Sequence, residues 1–265
     1  MPTTTPQPDP LADIPADRRP SHIAMIMDGN GRWAQQQGQP RIVGHQNGAT
    51  TVRRITEEAA RLKIDQLTLY CLSSENWKRP ADELDFLMEL LTQYLITERE
   101  TLMENNIQLK IIGRRERIPA EVQAEMDRTL EMTAANTGST LCLAINYGAR
   151  GEIVDAFRKI GQQIESGSLT PDEITEDLIS QNLYTAGMSD PDLLIRTAGE
   201  RRISNYLLWQ ISYAEIWVTE KFWPDFSSED LHEAIRNYSR RTRRFGGLVH
   251  AVPTNTDDAS ENDQD

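Results

Sequence analysis

Cysteine is scarce in this chain. Only Cys71 and Cys142 occur among 265 residues, each inside a short apolar run, so stability cannot come from a disulfide framework and two buried free thiols in a reducing compartment are expected. Long apolar stretches are missing too. None approaches the roughly 20 residues of a membrane span, and the amino end lacks a basic start followed by an apolar segment. A cytoplasmic protein is expected, at most docking peripherally on a membrane surface. Basic charge is also in short supply: 28 Lys and Arg stand against 41 Asp and Glu, a formal net charge of −13. No nucleic-acid partner is expected, because neutralising phosphates takes a basic surface. Neither a GxGxxG nor a Walker loop is present, so nucleotide binding has no support.

What the chain does have is enough length for one large core. Residues 1–20 are rich in proline and threonine, and residues 251–265 carry five acids and no bases. Neither end offers enough apolar surface to offset its ordering entropy, so both are expected as disordered tails around a single domain at 21–250. Inside the domain, short β-branched runs alternate with longer amphipathic ones, the pattern of a mostly parallel sheet of about six strands flanked by helices. The strand candidates are His22–Asp28, Gln66–Leu72, Gln108–Ile112, Thr140–Asn146, Leu193–Arg196 and Ile216–Val218. A helix is predicted from Pro80 to about Asn105, with Leu84, Leu87, Met88, Leu91, Leu95 and Leu102 at helical spacing. That stripe is either ordinary core or the wall of a lipid-accommodating tunnel. Thr170-Pro171-Asp172-Glu173 has capping-box spacing and predicts a helix to about Asn182. A last helix should start after Pro224 and reach about Phe245.

Ligands of an open α/β sheet bind beyond the carboxyl ends of its strands, so polar residues that follow each apolar run are the candidates. Asp28-Gly29-Asn30-Gly31-Arg32-Trp33 delivers an acid into a two-glycine turn whose N–H groups can meet an oxyanion, or is simply a turn. Arg41 and His45 follow, ahead of a helix; arginine grips phosphate with two parallel hydrogen bonds, and histidine can donate one. Ser73-Ser74-Glu75-Asn76-Trp77-Lys78-Arg79-Pro80 is denser in donors than a loop requires. A helix cap would account for one serine but leaves Asn76, Trp77 and Arg79 unexplained. Arg196, Arg201, Arg202 and Ser204 form a second candidate phosphate cradle, and Glu215 a second carboxylate for a divalent cation beside Asp28. Mg²⁺ favours carboxylate, water and phosphate oxygens, so two acids and a diphosphate would suffice. The arginine clusters Arg114–Arg115–Arg117 and Arg240–Arg241–Arg243–Arg244 are either solvated ends or phosphate or subunit contacts.

Taken in order, HIAMIMDGNGRWA, GHQNGA, SSENWKRPADEL, INYGARGEI, DPDLLIRTAGERRISNYLLWQ, YAEIWVTEKFWPDF and RRTRRFGG resemble the cis-prenyltransferases over roughly residues 20–247. The resemblance implies an apolar tunnel, Mg²⁺ dependence and repeated cis addition of isopentenyl diphosphate to an allylic diphosphate such as farnesyl diphosphate, giving a long-chain carrier-lipid precursor and released diphosphate. It implies a homodimer as well. By the same resemblance, Asp28 matches the essential aspartate that places Mg²⁺ and the leaving diphosphate. Gly29, Asn30, Gly31, Arg32, Arg41 and His45 match the allylic diphosphate cradle, and Trp33 and Trp77 lie beside the substrates. Ser73, Ser74, Glu75 and Asn76 match the loop near the reacting carbons, with Asn76 catalytic by orienting substrate, and Arg79 is its phosphate-facing arginine. Arg196, Arg202, Ile203 and Ser204 match the isopentenyl diphosphate site, and Glu215 the second metal ligand. Two departures stand out: Ala198 replaces a glycine or serine, and Ser139 is smaller than the apolar residue familiar there, which bears on product length if its turn ends the tunnel. The DDxxD motif of trans-type synthases is absent. A non-catalytic subunit and a two-carboxylate hydrolase are the rival readings.

Overall fold

The protein was analysed as a computed structural model that describes residues 8–241. Its sheet has the order β3-β4-β2-β1-β5-β6, formed by β1 (His22–Ile26), β2 (Gln66–Ser73), β3 (Gln108–Ile112), β4 (Thr140–Tyr147), β5 (Leu193–Arg196) and β6 (Glu215–Val218), and every pairing is parallel. Each of the six strand candidates is realised within two residues of its expected ends. The reason is local: apolar runs without alternation belong to strands covered on both faces, and all five residues of β1 are buried.

Helices α1 (Asn30–Gln36), α2 (Arg41–Arg61), α3 (Ala81–Thr97), α4 (Arg99–Glu104), α5 (Ala120–Thr133), α6 (Ala149–Glu165), α7 (Glu176–Asn182) and α8 (Ser228–Ser239) flank the sheet. Several differ from expectation. The long helix after Pro80 is interrupted at Glu98, a buried residue whose carboxylate takes both the Nε and an NH2 group of Arg53 from α2; the spacing of leucines carries no trace of that pull. The Thr170–Glu173 capping box exists, but it caps a single 3₁₀ turn, and α7 starts afresh with Thr175 as its cap. Arg41 and His45 do not precede a helix; they open α2, one turn apart on one side.

The larger of two core clusters spans β1, β2, α2, α5 and α8, and a smaller one gathers around Tyr147, Tyr206 and Leu207. The larger also takes in part of the expected amino-terminal tail. Leu11 is fully buried and Ile14 nearly so, while Arg19 donates to the Ile14 carbonyl and pairs with Asp9. Leu11 and Ile14, together with the Arg236 contacts to Asp13 and to the Pro10 carbonyl, fasten this segment to the domain. The last helix ends at Ser239, with Arg240 as its C-cap, short of the expected Phe245; the carboxyl-terminal tail, Arg243 and Arg244 lie outside the described residues.

Both cysteines are free, as expected. Burial pushes the Cys71 and Cys142 thiols up to about 12, so neither is a thiolate at neutral pH.

Candidate active site

The chain turns from β1 to β2 on one side and returns later to place β5 on the other, so β1 and β5 meet at a switch in strand order. Crevices at such points open beyond the carboxyl ends of the strands. Asp28 leaves β1 there, and Arg196 ends β5 there. The Asp28 Oδ2 accepts a hydrogen bond from the Arg196 guanidinium at 2.9 Å, and Arg32 stands 3.6 Å from the other oxygen. Thr197 fixes the acid from behind, its hydroxyl accepting from the Asp28 N–H at 2.8 Å. The sequence reading missed Thr197, because a threonine after a strand carries no mark of what it will touch.

Gly29 is in the left-handed region at φ 102°, and a Cβ on it would fall 2.5 Å from the Phe222 ring. Only glycine fits both the turn and the approach. Gly29 caps α1, so Asn30, Gly31 and Arg32 present first-turn N–H groups that lack helix partners. Helix α2 lies against that turn: a Cβ on Gly44 would stand 1.9 Å from the Asn30 carbonyl oxygen.

Beneath the turn is a cavity of about 690 Å³. Of the predicted site residues, Asp28, Asn30, His45, Ser73, Glu75, Asn76, Arg79, Arg196, Arg202 and Ser204 line it. The opposite wall is apolar, built by Leu87, Met88, Leu90 and Leu91 of α3 with Leu143 and Ile145 of β4. The leucine stripe is divided between the core and the cavity lining. Leu95 and Leu102 are core, and Leu87, Met88 and Leu91 face the cavity.

Three polar atoms at this cavity are buried without a partner: Asn30 Oδ1, His45 Nε2 and Arg196 Nε. Buried polar groups are ordinarily satisfied, so these three atoms are open to water or to a polar ligand that enters the cavity. Burial, helped by the Arg79 charge, holds the His45 imidazole below its usual range, and the ring is neutral at pH 7. Burial raises the Glu75 carboxyl, but hydrogen bonds led by that of Asn205 outweigh it and leave it below the ordinary range. Asn205, at φ 60°, donates to Glu75 at 2.8 Å and accepts the Arg150 N–H at 2.9 Å. It thereby ties the loop after β2 to the Arg196–Ser204 segment, where Ser204 Oγ accepts from Arg196 at 2.8 Å. Its left-handed backbone is a state asparagine tolerates, a signal present in the Ser204-Asn205 pair but not recognisable without the fold.

Several predicted residues have other tasks. Asn76 Oδ1 accepts the Ser73 N–H at 3.1 Å, completing a capping box with the Ser73 hydroxyl. Helix entry thus explains Asn76 after all and leaves its amide donors for the cavity. Trp77 is not at the cavity; its indole N–H donates to Asn146 at 2.7 Å and Arg117 covers its ring. Trp33 is likewise outside, bonded to Asp225. Ile203 packs on the smaller core cluster, and Ser74 hydrogen-bonds Glu75. Arg114 and Arg115 pair with Asp155 and Asp127, the plain role of loop-end charges. Ser139 is not part of the cavity lining; its hydroxyl donates to the Ile64 carbonyl at 2.6 Å.

The structure overturns one pairing outright. Glu215 begins β6 opposite Leu193, which stands opposite Ile23 at the start of β1. Asp28 is five residues further on, about 16 Å along the strand direction at roughly 3.3 Å per residue. Parallel strands put a residue that precedes a strand at the far edge from one that follows a strand. Glu215 is instead ion-paired with Arg241 of the segment after α8. Among the described residues no group of three His, Cys, Asp or Glu side chains is placed to hold a metal. Of the two acids expected to hold the ion, only Asp28 lines the cavity, which suits an ion that takes one protein ligand and fills its shell with phosphate and water oxygens.

The family model described as "Putative undecaprenyl diphosphate synthase" matches residues 26–246. The chain belongs to that prenyltransferase family. An isoprenyl transferase of Rhodopirellula baltica is 56% identical over 229 residues, 86% of this chain and 94% of that one, and an isoprenyl transferase of Halalkalibacterium halodurans is 48% identical over 86% and 90%. Among solved structures, lavandulyl diphosphate synthase of Lavandula x intermedia, in complex with dimethylallyl diphosphate, superposes with a TM-score of 0.86 at 38% identity, covering 87% of this chain and all of that one. A probable undecaprenyl diphosphate synthase of Campylobacter jejuni gives 0.71 at 34% identity over 86% and 99%. The family's sheet and its prenyl-transfer chemistry therefore apply here as they do to these relatives.

Proposed function

We propose that this protein is a Mg²⁺-dependent enzyme that adds isopentenyl diphosphate repeatedly, in cis, to an allylic diphosphate starter, releasing diphosphate at each step and building a long-chain polyprenyl diphosphate. Farnesyl diphosphate is the proposed starter. One observation carries the reading: the Asp28–Arg196 pair and three orphaned polar atoms surround one end of a cavity whose other wall is aliphatic. Headgroups would sit at the polar end and hydrocarbon along α3.

In each cycle the allylic C–O bond breaks and its electron pair leaves with the diphosphate; the double-bond electrons of the isopentenyl terminal =CH₂ form the new C–C bond, positive charge falls on the methyl-bearing carbon beside it, and loss of one proton from the CH₂ on the far side of that carbon leaves the new double bond. Arg41, Arg79 and the first-turn N–H groups of α1 would hold the departing anion before charge develops on it. Arg196, Arg202 and Ser204 would hold the isopentenyl diphosphate. Mg²⁺, held by Asp28 and phosphate oxygens, would neutralise leaving-group charge. Asn76 orients; with its carbonyl engaged by Ser73 it has no free base, so a phosphate oxygen takes the proton. Leu87, Met88 and Leu91 keep water from the cation. A homodimer and peripheral membrane contact during product release belong to the same proposal.

The lavender neighbour's complex with dimethylallyl diphosphate favours a second reading with a five-carbon starter and a short product. The test covers both. Purified protein, Mg²⁺ and labelled isopentenyl diphosphate are incubated with either starter, and the lipid extract is weighed by mass spectrometry. A ladder of five-carbon additions on farnesyl diphosphate is expected. A short product from dimethylallyl diphosphate alone would favour the second reading. No incorporation would overturn both, and diphosphate release from a single substrate would indicate a hydrolase.

A further inference from the structure

Glu83, in the first turn of α3, is an acid in the middle of the cations expected to grip the allylic diphosphate. Its Oε1 is 2.9 Å from Arg79 and 3.4 Å from His45 Nε2, and its Oε2 is 3.4 Å from Arg41 Nε. The Arg41 NH2 group reaches Oε1 at 3.5 Å. Burial raises the Glu83 carboxyl, yet the Arg41 hydrogen bond and the Arg79 and Arg41 charges prevail, so it is ionised at neutral pH. The fit is poor. Only the Arg79 contact has normal hydrogen-bond length, and His45 Nε2 remains buried without a hydrogen bond despite its proximity. One small carboxylate is stretched over three donors that a larger anion with more oxygens would satisfy together.

We propose that Glu83 is a placeholder anion: it holds Arg41, His45 and Arg79 in position in the free protein and is displaced by the allylic diphosphate, whose affinity it thereby limits. The inference rests on the reading that this cradle takes an allylic diphosphate. Without Glu83 the Arg41 and Arg79 charges would face one another uncompensated, beside a neutral His45 ring. With it they are preorganised, and binding must first break its contacts. A carboxylate needed to keep Arg41 and Arg79 ordered in the bound state would act in the opposite direction, since its loss would weaken binding of a diphosphate. The sign of the effect therefore identifies the role.

The experiment compares wild type, Glu83→Gln and Glu83→Ala by calorimetric binding of farnesyl diphosphate and of inorganic diphosphate, with steady-state KM for both substrates. Partly exposed ion pairs contribute up to about 1 kcal/mol each, so farnesyl diphosphate should bind about three- to tenfold more tightly to Glu83→Gln, with a steeper salt dependence because the cradle gains one net positive charge. KM for isopentenyl diphosphate should not change. The free Gln variant should melt lower than wild type and regain the difference with ligand. Equal or weaker farnesyl diphosphate binding by Glu83→Gln, in the presence of an active wild type, overturns the placeholder alone. Failure of the wild type to bind farnesyl diphosphate overturns the cradle reading and the placeholder with it.

Discussion

At the scale of single residues, chemical type was legible and partnership was not. Asp28, Arg196, Arg202 and Ser204 could be picked out because an acid, arginines and a hydroxyl that follow apolar runs have few structural reasons to be there, and the fold gathers all four at one cavity. Trp77 looked equally deliberate, but its partner Asn146 is 69 positions away, and no local pattern reveals that. His22 shows how such a hidden partnership governs pH dependence. It is almost fully buried between β1 and its neighbours, its ring nitrogens 2.7 Å from the Ser189 carbonyl and 2.8 Å from the Thr68 hydroxyl. Burial lowers it from 6.5 to about 4. The unfolded chain therefore binds the proton first as pH falls, so His22 contributes stability above pH 6.5 that is lost between there and about pH 4, to the extent of about 3 kcal/mol. Urea unfolding at pH 7, 5.5 and 4.5 should show that loss in wild type and a shallower slope in His22→Gln. Identical slopes would refute the assignment.

At the scale of elements, strand positions followed from composition because buried parallel strands are continuous apolar runs. Helix ends were less legible, since tertiary contacts set them: Arg53 draws Glu98 inward and breaks the helix after Pro80, and Thr175 restarts α7 after a turn that its own capping box had already closed. The packing of α1 on α2 is the contact on which the site most depends. Gly44 lets the two backbones meet, and through the Asn30 carbonyl it sets the height of the Asp28–Arg32 turn. Gly44→Ala should cost about 2–4 kcal/mol by overpacking a backbone contact and should lower isopentenyl incorporation more than the fraction unfolded explains. Urea midpoints together with single-turnover rates check it; unchanged values would mean that the helices separate freely.

For the whole molecule, the sequence reading paired two acids by chemical type without asking which edge of the sheet each would occupy. Asp28 follows its strand and Glu215 precedes its own, and parallel pairing sends them to opposite edges. Strand polarity was available from the strand assignment and decides the matter without side-chain detail. The amino-terminal segment went the other way: composition predicted a tail through residue 20, whereas Leu11, Ile14 and the Arg236 contacts fasten part of it to the domain. What remains after these corrections is one cavity with a polar mouth at the β1–β5 switch and an aliphatic wall on α3, on a fold shared with prenyltransferases. The central claim is that the Asp28 carboxylate at this mouth is required for prenyl transfer and is not needed for folding. The most direct measurement is Mg²⁺-dependent incorporation of labelled isopentenyl diphosphate by wild type and Asp28→Ala, with the circular dichroism spectrum of both. A loss of at least about a thousandfold, equivalent to about 4 kcal/mol of transition-state stabilisation, is predicted with the spectrum unchanged; incorporation within a few fold of wild type would contradict it.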